Sequence, residues 1–233
     1  MEATRPMRSA RTMFRRRAPL PTPHPRTPWR AAEYCVIDLE TTGLNLGRDE
    51  IVAYGAAIVA EARISCGRSA YGLVRPARPV SVAALTVHGL RSADLVDAPT
   101  IDEAVDDLVG LLTNRVVVAH AAWIERAFLN RALRPRGMSL GRAVLDTAAL
   151  LRACRLADVS AAREPDLETA SRRLGLPVHT PHHALGDSFT TAQVFLALAT
   201  RLERGHTGSN PRPLTLRQLY AISRHHSLDR RTA

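Results

Sequence analysis

Apolar residues fall along this chain in two rhythms, one of strands and one of helices. From Tyr34 to Ile37 the apolar run is unbroken, as in a strand buried on both faces, and the alternation that follows points Asp38 and Glu40 to the same side. Ile51 to Ala60 is nearly all apolar and reads as a central strand, with Ser69 to Val74 as a third. Short links between the three predict an antiparallel meander. Helical spacing begins behind a Thr100 cap, where Ile101, Val105, Leu108, Val109 and Leu112 share a face. Val116 to Ala119 is then a short buried strand ending at His120. Ala121 to Leu133 reads as a helix with Ile124, Phe128 and Leu129 inward, closed by Pro135 and Gly137. Val144 opens a short segment into Asp146 and Thr147, followed by a helix with Leu150, Leu151 and Cys154. Leu167 to Leu174 forms another, stopped by Gly175, and Ala184 to Leu202 the last long one. A meander followed by alternating strands and helices predicts an α/β architecture, a mixed sheet flanked by helices.

The two ends follow a different pattern. Residues 1–30 are rich in Arg and Pro, a composition that predicts a disordered arm, and residues 31–204 hold the globular part. Residues 205–213 read as a linker within a basic tail, residues 205–233. Leu214 to His226 in that tail is a short amphipathic helix, free either to dock on the core or to bind a partner.

Charge follows the same division. Residues 1–30 carry eight Arg against Glu2, residues 201–233 seven Arg against two acids, and the stretch between them seventeen Arg against nineteen acids. The net charge of +10 therefore belongs to the tails, and composition implies no broad basic face on the folded body. Every basic residue is Arg, a bias of GC-rich coding that points to a bacterial source and weakens Arg counts as a sign of phosphate binding. No run approaches the ~20 apolar residues of a membrane helix. Three scattered cysteines, Cys35, Cys66 and Cys154, fit a reducing cytoplasm and offer no zinc or disulfide spacing.

Chemistry concentrates where the first strand ends. Two carboxylates on one face of a core strand repel each other and resist desolvation, so a divalent cation with a preference for oxygen ligands is expected between them. A turn with two exposed acids is the plain alternative. Thr41-Thr42-Gly43 ends the strand and lets backbone and hydroxyls approach a polar ligand. At the start of the last long helix, His182 lies in the loop and Asp187 about a turn inside, which would bring imidazole and carboxylate together; taken alone, the pair His182-His183 reads more simply as a surface loop. Glu125 by itself reads as a solvated helix residue. His120 and Asp146 read as structural, a helix cap and a turn anchor, and Trp123 as partly core.

In order, these pieces resemble the DEDDh group of 3′-to-5′ exonucleases, a ribonuclease H-like family. The resemblance runs over residues 33–200: Ile37-Asp38-Leu39-Glu40-Thr41-Thr42-Gly43-Leu44, then Val87-His88-Gly89-Leu90, then Val118 to Leu129, then Leu145-Asp146-Thr147, then His182-x-Ala184-x-x-Asp187. It implies a ribonuclease H-like mixed five-stranded sheet and a two-metal phosphodiester hydrolase using Mg2+ or Mn2+. Asp38 would bridge the ions, Glu40 and Asp187 would complete the nucleophile-side site, and Glu125 would support the second. His182 would take the proton of the attacking water. Thr41, Thr42 and Leu44 would contact the terminal nucleotide, with His88 lining the same cleft. Nucleoside 5′-monophosphates would leave from the 3′ end of single-stranded or frayed DNA, with RNA the runner-up. The family has Asn and Asp where this chain has Ala121 and Glu125. Glu is one methylene longer and still reaches an ion, whereas a catalytically silent module that binds 3′ ends, or tethers to a polymerase subunit through the C-terminal tail, is the reading from another class.

Overall fold

The computed structural model describes residues 17–141, 144–158, 163–206 and 213–227. In chain order these form β1 (Ala18–Pro19), β2 (Tyr34–Thr41), β3 (Ile51–Ala60), β4 (Arg63–Ile64), β5 (Ala70–Leu73), α1 (Val82–His88) and α2 (Ile101–Leu112). There follow β6 (Val116–Ala119), α3 (Trp123–Leu133), β7 (Met138–Ser139), β8 (Val144–Asp146), α4 (Thr147–Ala153), α5 (Leu167–Arg173), α6 (Ala184–His206) and α7 (Leu216–His226).

The predicted meander is present: β2 runs antiparallel to β3, and β3 antiparallel to both β4 and β5. β6 and β8 then add in parallel on the far side of β2, giving the order β4-β3-β2-β6-β8 with β5 also on the β3 edge. The sheet has six strands but five positions across, because the short β4 and β5 share one edge of β3. Helix α2 begins as its sequence predicts, with the Thr100 N–H donating to the Glu103 carboxylate at 2.7 Å. Helix α1 lies in what the sequence suggested was only a connecting loop.

Alternation along β2 sorts the core into two faces. Tyr34 and Val36 pack with Val118, Leu145, Leu150, Phe195, Leu198 and Leu219 on the side covered by α4, α6 and α7. Cys35, Ile37 and Leu39 pack with Leu108, Leu112, Phe128 and Leu129 of α2 and α3. Asp38 and Glu40 continue the first set, so they lie under α6. On the same face β3 offers Ala53, Gly55 and Ala57, a row of small residues that lets α6 come close. Gly55 pairs with Asp38, and a Cβ on it would stand 2.1 Å from the Ala184 carbonyl carbon and 2.2 Å from the Leu185 nitrogen. Only glycine therefore lets the start of α6 rest on the sheet beside Asp38.

The expected disordered arm needs correction over residues 17–30. Leu20 and Trp29 are buried, the Leu20 N–H donates to the Ser139 carbonyl, and the Trp29 carbonyl accepts the Tyr34 hydroxyl at 2.6 Å. A Pro-rich strap has few N–H groups to satisfy, so a handful of backbone bonds and two apolar anchors suffice to hold it. Residues 1–16, the rest of that expectation, lie outside the described residues. The C-terminal helix docks: Leu214, Leu216 and Leu219 are fully buried, and the Trp29 N–H donates to the Leu214 carbonyl at 2.8 Å while the Leu216 N–H donates to Thr27 at 3.0 Å. Residues 25–29 and 214–217 thus clasp each other over the core. Most of the expected linker, residues 207–212, lies outside the described residues. No described helix is long and apolar enough to cross a membrane.

Candidate active site

Three elements meet where β2 ends. β2 supplies Asp38 and Glu40, the first turn of α6 supplies Asp187, and the first turn of α3 supplies Glu125. One carboxylate oxygen from each of Asp38, Glu40 and Asp187 lies within 4.8 Å of the others. Glu125 is 5% exposed, and its Oε2 is enclosed without a hydrogen-bond partner. Its burial departs from the solvated position that its sequence context suggested. Among the described residues no Arg forms an ion pair with any of these four acids.

Such a cluster resists ionisation. Burial, then the charges of Glu125, Glu40 and Asp187, hold Asp38 well above the ordinary carboxylate range. Burial and the charge of Asp187 push Glu40 up to about 7. Burial raises Glu125 to about 8, helped by the charges of Asp146 and Glu40. Asp187 rises to about 6, again through burial, although a backbone N–H and two nearby histidines pull the other way. Four carboxyls with no Arg paired to them among the described residues, one bearing an orphaned oxygen, are a donor set suited to hard divalent cations.

This has a measurable consequence. A carboxyl raised in the folded state keeps its proton after the unfolded chain has lost it, so stability falls as pH climbs from the unfolded value through the folded one. With chelator present, thermal unfolding should move to lower temperature between about pH 5 and about pH 8. Mn2+ should flatten that slope, since a bound cation removes the preference for the protonated form. Equal slopes with and without Mn2+ would contradict the assignment.

The histidines take distinct places. His182 is exposed at φ 58°, and its backbone N–H donates to Asp187 Oδ2 at 2.9 Å. His183 stacks on Tyr71 of β5 at 4.5 Å between ring centroids, and Tyr71 in turn senses the charge of Glu40. His88 accepts the Leu90 N–H on Nδ1, which leaves the hydrogen on Nε2 to donate to the Thr41 carbonyl at 3.2 Å. Burial lowers its pKa, in keeping with a neutral ring. The threonine hydroxyls are engaged inside the turn: Thr41 donates to the Gly43 carbonyl, and Thr42 donates to Asp49 and accepts from the Glu50 N–H. Leu44 is 67% exposed at the tip of the same turn. His120, expected as a helix cap, instead joins β6 to two other segments through Thr147 Oγ1 at 2.8 Å and the Pro165 carbonyl at 2.6 Å. Asp146 caps α4, accepting the Ala148 N–H at 2.9 Å.

Sequence reasoning missed Gly55 and Tyr71. A glycine in an apolar strand signals close backbone approach, and that cue was available; nothing local marks Tyr71.

Comparison with known proteins shows the family. The Exonuclease family, RNase_T, matches residues 35–195. A DNA polymerase III subunit epsilon-like protein of Rhodobacter capsulatus is 36% identical over 185 residues, 78% of this chain and 26% of the relative. A PolC-type DNA polymerase III of Thermotoga petrophila is 30% identical over 74% of this chain and 12% of its own length. The chain thus spans about a quarter or less of these relatives. Among solved structures, Exonuclease X in complex with 5′-overhanging duplex DNA shares 25% identity at a TM-score of 0.58, over 82% of this chain and 99% of that one. E. coli Exonuclease I shares the fold at a TM-score of 0.64 and 14% identity, over 74% of this chain and 42% of that one.

Proposed function

The chain belongs to the Exonuclease family, and on that premise we propose that it is a metal-dependent 3′-to-5′ exonuclease releasing nucleoside 5′-monophosphates from single-stranded or frayed DNA. The observation that carries the reading is the meeting of Asp38, Glu40 and Asp187 within 4.8 Å under α6. These three carboxylates would hold one divalent cation, and Asp38 with Glu125 a second, Mg2+ or Mn2+. Ions in such a site activate a water and stabilise the leaving 3′ oxygen.

The chain's own groups do the rest. His182 takes the proton of the attacking water, its loop fixed by its backbone bond to Asp187. Because the Thr41 and Thr42 hydroxyls hold the turn, backbone groups and the exposed Leu44 meet the terminal nucleotide, and His88 steadies that edge through the Thr41 carbonyl. A single strand suits the cleft, since the scissile phosphate must reach buried carboxylates unpaired. DNA is preferred over RNA because of the polymerase relatives and the DNA held by Exonuclease X. A polymerase partner is a natural extension from those names, but the apolar face of α7 is spent on this chain's own core. The free cysteines Cys35, Cys66 and Cys154 suit a cytoplasmic setting.

The test is the shortening of a 5′-labelled single strand in Mn2+ or Mg2+, run beside the matching RNA. Glu125 separates this from the silent, 3′-end-binding reading. The native chain should cleave, and Glu125→Asp should change the rate by less than about tenfold. A native chain that is inert until Glu125→Asp is introduced would favour the silent module. Glu125→Gln removes a buried carboxyl that must take up a proton on folding at neutral pH, so it should stabilise the metal-free protein there by on the order of 1 to 3 kcal/mol while lowering activity.

A further inference from the structure

Asp146 has no part in the reaction just described, yet its charge acts on the one acid of the cluster that departs from the family pattern. Asp146 ends β8, is 7% exposed, and its charge raises Glu125. Its carboxylate accepts the Ala148 N–H at the start of α4 at 2.9 Å and also faces the N–H of Ala122, the residue before α3, while its backbone pairs with Ala119 of β6. Helix α3 carries Glu125 in its first turn.

The junction it grips is strained. Ala121 stands at φ 52°, in the left-handed region that costs a residue with a Cβ about 1–2 kcal/mol. Such a conformation persists only where the surroundings impose it. Asn, which the family has at this position, adopts that region more readily than Ala because its side chain can hydrogen-bond locally. The constraint therefore comes from outside the turn. His120 is fixed by Thr147 and the Pro165 carbonyl, Ala119 before it is paired with Asp146 in the sheet, and the Asp146 carboxylate faces the Ala122 N–H beyond it. Asp146 is itself fixed, because its N–H donates to Ser223 Oγ of α7 at 3.0 Å, a buried bond between residues 77 apart in sequence. Ser223 is 2% exposed and lies beyond the family match, which ends at residue 195.

We propose that Asp146 is a positioning residue for the nuclease site: by holding the strained Ala121 junction it sets where the Glu125 carboxylate stands, and Ser223 of the C-terminal helix holds it in place. This rests on the exonuclease reading only in taking Glu125 as a cation ligand. The C-terminal helix is thereby part of the site's scaffold, and the geometry that an Asn would stabilise locally is imposed here by a long-range contact.

The experiment measures Mn2+ binding by calorimetry, with thermal unfolding run on every variant. Asp146→Asn leaves one amide oxygen to serve two N–H groups, so it can keep the α4 cap while loosening Ala122. It should melt within a few degrees of the native chain and bind Mn2+ roughly tenfold more weakly, in the range of losses at outer partners of metal ligands. Adding Ala121→Asn to that variant should recover most of the affinity, a rescue that a general packing defect would not give. Ser223→Ala, which removes a single hydroxyl, should weaken binding in the same direction, and it carries the test if Asp146→Asn fails to fold. Native affinity in Asp146→Asn or, should that variant not fold, in Ser223→Ala would overturn the proposal while leaving the exonuclease reading intact. Absence of Mn2+ binding by the native chain would overturn both.

Discussion

Asp38→Ala should lower 3′-terminal hydrolysis by roughly a thousandfold or more and at the same time make the metal-free protein harder to unfold. Both effects come from one cause. Asp38 lies at the centre of the cluster, where Glu125, Glu40 and Asp187 all act on it. Without it, no carboxylate joins the Glu40–Asp187 pair to Glu125, and the groups on the substrate lose their common anchor. The folded state also no longer has to keep a buried carboxyl protonated against its three acidic neighbours, so thermal unfolding in chelator at neutral pH should move upward. Paired measurements of mononucleotide release and melting temperature check this. Activity equal to the native chain, or a variant less stable than the native in chelator, would show that Asp38 does something else.

Gly55→Ala should be nearly as damaging, although Gly55 bears no functional group. A Cβ there would stand 2.1 Å from the backbone of Ala184, far inside any real contact, so the start of α6 would have to retreat by about an ångström or more. Overpacking of this kind costs about 1–3 kcal/mol. The larger effect is on the site: Asp187 sits in the first turn of α6, and a shift of that size in a reacting group can cost roughly a hundredfold in rate. The expected result is a folded protein with weakened Mn2+ affinity and strongly reduced activity. Since α6 is displaced rather than melted, its helix content should persist in circular dichroism.

How far the sequence foretold all this depends on the range over which each signal acts. Asp38 and Glu40 were legible because alternation along a strand is local, and it put them on one face before any partner was known. The bounds of α2 and β6 follow from a cap and an apolar run, which are equally local. Trp29 and Leu20 were not legible, because an Arg- and Pro-rich composition averages out the two anchors that hold residues 17–30 to the core. Burial of Glu125 was likewise hidden, since it depends on how α3 meets β2 and β8 rather than on its neighbours in sequence. The resemblance to known exonucleases supplied that residue where the residue pattern by itself suggested solvent. The tie from Asp146 to Ser223 is the extreme case, a bond across most of the domain's C-terminal half that no spacing rule anticipates.

The central claim is that carboxylates from β2, α3 and α6 share a pocket because divalent cations belong among them. Anomalous diffraction from crystals soaked in Mn2+ tests it most directly. The account predicts density enclosed by Asp38, Glu40 and Asp187, with a second ion between Asp38 and Glu125. Well-ordered crystals with no Mn2+ at this cluster, or with Mn2+ bound only elsewhere, would contradict it.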